Sequence, residues 1–90
     1  MRVYEAIEQM RAMSAKGKTF SFAFMSFSYT RKKSEGIVHV EHAKLTKQSK
    51  KENNRFAPYM LNYMDMDSME THQCWQPLLL EFNGESLILD

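Results

Sequence analysis

Three histidines and one cysteine, His39, His42, His72 and Cys74, are the only imidazole and thiol groups in the chain. Four nitrogen and sulfur donors are enough to close a tetrahedral zinc site. In extended chain, His72 and Cys74 lie two apart and face the same way. His39 and His42 lie three apart and face opposite ways unless a bulge intervenes. The spacing matches no zinc-finger pattern and contains no CxxC pair. The expectation is therefore two surface histidines, a third partly buried, a core cysteine and no metal. The same residues offer a sparse nucleophilic set: Cys74 close to His72, with Asp65 orienting it if that carboxylate sits across a hairpin from His72. No nucleophile elbow, phosphate loop or dinucleotide fingerprint is present; Gly17, Gly36 and Gly84 are isolated, each at a turn. Asp65, Asp67 and Glu70 lack the glycine and the length of an EF-hand loop. These observations predict a protein that is not an enzyme and carries no cofactor.

Binding chemistry has more material. Residues 30–55 hold eight basic and three acidic groups, a net charge of +5, whereas residues 56–90 hold six acidic groups and neither Lys nor Arg. Arg31, Lys32 and Lys33 follow a strand-like run rich in Phe and Tyr, and Lys44, Lys47, Lys50, Lys51 and Arg55 come after it. Basic groups release counterions from phosphates and exposed rings stack on bases, so these residues are the candidates for a nucleic-acid interface. Against that, the RNP pattern of an RNA-recognition motif is missing, and the acidic last third would repel phosphate. Opposite charge on two parts of one small fold also serves mutual attraction, within a chain or between copies.

Those residues must be positioned by elements that the sequence makes legible. Val3, Ala6, Ile7, Met10 and Met13 fall at helical spacing and form one apolar stripe, which predicts a helix over 2–15 with Gly17 at its stop. The stripe is one-sided, so the helix covers a sheet. In "KTFSFAFMSFSYT", Phe20, Phe22 and Phe24 share one face of a strand; Ser21, Ala23, Met25, Phe27 and Tyr29 share the other. Apolar groups on both faces predict a central strand. Residues 30–36 read as a hairpin loop. A return strand over about 37–46 alternates imperfectly, which predicts either two partly buried faces or a bulge near Glu41–His42. Residues 47–55 read as an exposed loop, and strands follow over about 59–66 and 71–76, with Pro77 marking an edge or bend. "LLLEFNGESLIL" places Asn83-Gly84 between two apolar runs, the dipeptide favoured in a two-residue type I′ hairpin. Counting back pairs Phe82 with Glu85, Leu80 with Leu87 and Leu78 with Leu89. It puts those leucines and Phe82 on the core face, with Leu79 and Ile88 on the other.

The fold expected is one α+β domain over residues 1–90: an N-terminal helix packed on a mostly antiparallel, meander-like sheet of five or six strands. Hydrophobic residues make up 43% and charged residues 26%, a globular rather than a disordered composition. The eight methionines suit an adaptable core or an adaptable binding surface. A single cysteine permits no intramolecular disulfide, no run approaches a membrane span, and the amphipathic first residues do not form a signal peptide. The expected location is the cytoplasm.

The stretches "GKTFSFAFMSFS", "SEGIVHVEHAKL" and "QPLLLEFNGESLIL" together resemble small uncharacterised proteins encoded among the structural genes of tailed phages and prophages of gut bacteria. The similarity spans most of the chain and rests on strand-and-turn texture. It implies an accessory role in a virion or mobile element, without enzymatic activity. More apolar side chain is present than one helix can cover, which points to self-association or another protein partner. Phe27, Tyr29 and Trp75 are the candidate contacts, with Arg31, Lys32 and Lys33 steering the approach. Nucleic acid through the basic 31–55 region is the alternative.

Overall fold

The computed structural model describes residues 1–28, 33–46 and 59–89, with Ser28 and residues 33–35 described by their backbone. A helix α1 (Val3–Ala15) precedes strands β1 (Phe20–Ser28), β2 (Lys33–Leu45), β3 (Met60–Asp65) and β4 (Glu70–Trp75). A single 3-10 turn (Gln76–Leu78) then leads into β5 (Leu79–Phe82) and β6 (Glu85–Ser86). The six strands form one antiparallel sheet in the order β4-β3-β2-β1-β5-β6. This is an α+β fold with an N-terminal helix. Strand β1 is central, flanked by β2 and by the late strand β5.

The helix ends as its sequence dictates. Gly17 takes a left-handed conformation, φ +75°. Its N–H bonds the Ser14 carbonyl at 3.1 Å and the Lys18 N–H bonds the Met13 carbonyl at 2.9 Å, so two of the helix's last carbonyls find partners. At the other end no side chain caps the helix. Instead the Val3 N–H donates to the Ile88 carbonyl at 2.9 Å, so the chain's last extended residues satisfy the helix's first donor. Ser14 ties the helix to the sheet: its Oγ donates to the Met10 carbonyl (2.8 Å) and accepts the Leu45 N–H (2.9 Å).

Three bulges, each on a neighbour of β1, shape the sheet. Phe20 faces Ala43 while Phe22 faces Val40, so Glu41 and His42 together oppose one residue, Ser21. This bulge returns Ala43 to the core face, and Val40 and Ala43 are both buried beneath the phenylalanines. A second extra residue, Glu35, lies beside Gly36, whose φ of +100° only glycine adopts readily. It lets β2 begin at Lys33, shortening the loop anticipated over 30–36. The third bulge is at Leu80: Ala23 faces Glu81 and Phe24 faces Leu79. Simple alternation from the Asn-Gly turn assigned Leu79 to the outer face. The bulge reverses that, and Leu79 is 3% exposed in the core while Leu89 is exposed. Leu78 falls in the 3-10 turn rather than in a strand opposite Leu89. Nearer the turn, Phe82 faces Glu85 and the Leu87 N–H bonds the Leu80 carbonyl at 2.8 Å. Asn83 and Gly84 both have positive φ, +50° and +84°. Asn83 also binds β1, through its own N–H to the Ser21 carbonyl and its Oδ1 from the Ser21 N–H, both at 2.9 Å.

One core results. Val3, Ala6, Ile7 and Met10 of the helix join Phe20, Phe22, Phe24, Leu79, Phe82, Leu61, Tyr63 and Cys74. Tyr63 sits at its centre. Its ring meets Phe22 edge-on (centroids 5.0 Å, 87°) and Phe24 at 5.9 Å, which places the β3–β4 hairpin over the inner face of β1. Replacing Ser14 by Ala should destabilise the fold by about 1–2 kcal/mol, because it strips the acceptor from a part-buried strand N–H. A urea titration followed by far-UV circular dichroism would read this as a lowered midpoint at unchanged slope.

Candidate interaction site

The residues singled out for metal or nucleophilic chemistry form neither a ligand set nor a triad: His39, Asp65 and His72 border one cleft and Cys74 another. Cys74 faces Leu61 and is 3% exposed. Burial pushes its thiol up to about 12, so at neutral pH it is neither a thiolate ligand nor a ready nucleophile. His72 lies opposite Tyr63, not Asp65; Asp65 faces Glu70 instead. β3 ends at Asp65 and β4 begins at Glu70, each one residue earlier than the sequence suggested, which shifts every partner by two. All three histidines are exposed, rather than two of the three. Among the described residues no group of three or more His, Cys, Asp or Glu is placed to hold a metal. No helix among them is long and apolar enough to cross a membrane.

His42 has a different task. The bulge turns it outward, and its Nδ1 lies 3.1 Å from Asp67 Oδ2 and 3.2 Å from Oδ1. Its carbonyl accepts the Met66 N–H at 2.8 Å. The β3–β4 turn is thereby held against the bend of β2. The hydrogen bond to Asp67, then that residue's charge, raise the imidazole above its ordinary value. Asp65 Oδ1 accepts the Asp67 N–H (3.0 Å) and so supports the same turn.

The aromatic candidates come together across the fold. Phe27, near the end of β1, is 38% exposed, and Trp75, at the end of β4, is half-buried. Both line one cleft of about 180 Å³, with Met25, Met60 and Cys74 beside them. Ile37, exposed on the outer face, pairs with Met25 and extends this apolar surface. The Lys33 backbone pairs with Ser28 at the same end of β1. Tyr29, Arg31 and Lys32 lie outside the described residues, as do Lys47, Lys50, Lys51 and Arg55 of the nucleic-acid candidates. Lys44 is half-buried on β2, opposite Met64. Met60 and Ile37 were not anticipated at this site. The first is placed by the β3–β4 pairing of Met60 with Trp75, a long-range event that local spacing does not encode. A further hollow of about 480 Å³ is lined, among the described residues, by Thr46, Asn62, Thr71, His72 and Gln73, none of them an apolar anchor.

No protein-family model matches the sequence, and no curated protein or solved structure is significantly similar to it.

Two outcomes follow from these environments. Cys74 should react with a chromogenic disulfide reagent at neutral pH at least about a thousandfold more slowly in the native protein than in urea, since only opening exposes a thiol that can ionise. The His42–Asp67 contact should act on stability in one pH window. Because the folded imidazole is raised, its contribution is fully present below the unfolded value of about 6.5 and is lost as pH rises through the folded value. Wild type should therefore be more stable than Asp67→Asn at about pH 5.5, and the gap should close by about pH 9 in paired urea titrations.

Proposed function

We propose that this chain is a small non-enzymatic protein-interaction domain, acting in an assembly with copies of itself or with another protein. The observation that carries the reading is the meeting of Phe27 and Trp75, from opposite halves of the chain, at one cleft with Met25 and Met60. Aromatic anchors set among adaptable methionines are what a protein-binding hot spot requires. A neutral, buried Cys74 leaves the only thiol unfit for catalysis at physiological pH, in keeping with a binding role. The resemblance to proteins from phage and prophage structural-gene clusters favours an accessory assembly role, and the cytoplasm is the compartment in which we place it. Basic residues 31–33 follow β1 and would steer an acidic partner surface.

Phe27→Ala and Trp75→Ala should each weaken self-association or partner binding about 10- to 100-fold, the cost of truncating a hot-spot ring. Sedimentation equilibrium and pull-down read this, and far-UV circular dichroism establishes that the variants remain folded. Unchanged assembly mass and unchanged partner recovery in both variants would refute the proposal. Salt-sensitive micromolar binding of labelled oligonucleotides, abolished by charge reversal at Arg31, Lys32 and Lys33, would assign the chain to nucleic acid instead.

A further inference from the structure

A second cleft adjoins the Phe27–Trp75 one, sharing Phe24, Ser26 and Gln73 with it. It has a volume of about 330 Å³, within the usual range for small-molecule sites. Its floor is apolar: Phe24 of β1 and Val38 and Val40 of β2. One wall is the Tyr63 ring, with the His72 ring packed on it at 5.6 Å and an interplanar angle of 38°. Ser26 and Asp65 stand at its polar side. Val38 belongs to the core face yet is only half-buried, because the cover supplied by Tyr63 stops at Phe24.

The sign of the charge selects the ligand. Among the described residues lining the cleft there is neither Lys nor Arg; the basic groups are the imidazoles of His39 and His72, and Asp65 is the only carboxylate. Its Oδ1 is engaged by the Asp67 N–H, which leaves Oδ2 without a hydrogen bond among the described residues. A phosphate or carboxylate would meet no permanent counter-charge among these residues. An ammonium would meet the Asp65 carboxylate, with the Ser26 hydroxyl also on the cleft lining as an acceptor. The apolar floor calls for a flat hydrocarbon body of the size of a phenyl ring.

We propose that this cleft is a binding site for a small arylalkyl amine, its ring on Phe24, Val38 and Val40 and its ammonium at Asp65. The site does not depend on the interaction role of the Phe27–Trp75 cleft. It is tested on the full chain by ¹H–¹⁵N correlation spectra, titrating phenethylamine against the isosteric anion 3-phenylpropionate. Nα-acetyllysinamide, an ammonium on an aliphatic stem, is the third probe. Phenethylamine should bind at about millimolar affinity, as its size dictates, and move the amides of Ser26, Val38 and His72. Asp65→Asn keeps the oxygen that holds the turn and should weaken phenethylamine about fivefold, the range of a single exposed charge contact. Val38→Trp, which fills the floor, should abolish binding. Equal or stronger binding of the anion, or phenethylamine binding unchanged in Asp65→Asn, would overturn the assignment. Tighter binding of the lysine derivative would overturn the aryl specificity. Because the probe comparison is made on the wild-type chain, the test stands even where Val38→Trp fails to fold.

Discussion

The burial of Phe20, Phe22 and Phe24 governs this fold. Three adjacent aromatic side chains on one face of a central strand offer a large apolar area, each worth about 1.5–3 kcal/mol when withdrawn from water. They span roughly 13 Å along the strand, at about 3.3 Å per residue. A helix is only about 10–12 Å across with its side chains. Helix α1 is tied at Ser14 to Leu45 and at Val3 to Ile88, so it lies over the Phe20 end of the strand. Phe24 needs a second cover, and Tyr63 supplies it from β3. A flat continuation of the meander could not bring β3 there. The bulge at Glu41–His42 bends β2, so that one strand serves both the layer under the helix and the hairpin that closes over Phe24. The contact between His42 and Asp67 fastens the hairpin to that bend from outside.

The same geometry places the clefts. Both begin where the cover over β1 runs out, and both include Phe24 and Ser26 in their lining. Strand β5 accompanies β1 only as far as the Phe24–Leu79 pair, after which the 3-10 turn leads away. Residues Met25–Phe27 are therefore flanked by β2 on one side and approached by the end of β4 on the other. Half-buried rings at such a boundary follow from the economy of a small core. Ninety residues bury only about two-thirds of the surface of the unfolded chain, so some apolar area must remain at the margin. At this margin the surface is concave.

Much of this architecture was legible in the sequence. The helix and its glycine stop, the central phenylalanine strand, the suspected irregularity at Glu41–His42 and the separation of the chain into hairpins all rest on local signals: periodicity, turn chemistry and break of alternation. What local signals did not carry was long-range register. Leu79 was placed outside because alternation through a four-residue strand cannot reveal an extra residue at Leu80. The expectation of Asp65 opposite His72 fails because one-residue errors at the end of β3 and at the start of β4 add to a two-residue shift of every cross-strand partner. At the candidate site, Phe27 and Trp75 could be chosen singly as aromatic groups in excess of what one helix covers. Their meeting depends on the bend of β2 and on the return of β4 toward β1, and no spacing in the sequence encodes either.

Charge closes the account of what such a fold can recognise. The last third of the chain is purely acidic in its formal charges, and it supplies β3, β4 and the final hairpin. The cleft walls that β3 and β4 contribute among the described residues therefore carry no Lys or Arg. Of the twelve basic groups, eight fall in residues 31–55, in β2 or next to it in sequence, and Arg2, Arg11, Lys16 and Lys18 belong to the helix and its ends. A ligand with negative charge would be drawn toward these basic groups and turned away from those walls, and a cation the reverse. A fold that segregates charge in this way presents two different chemistries from one small core.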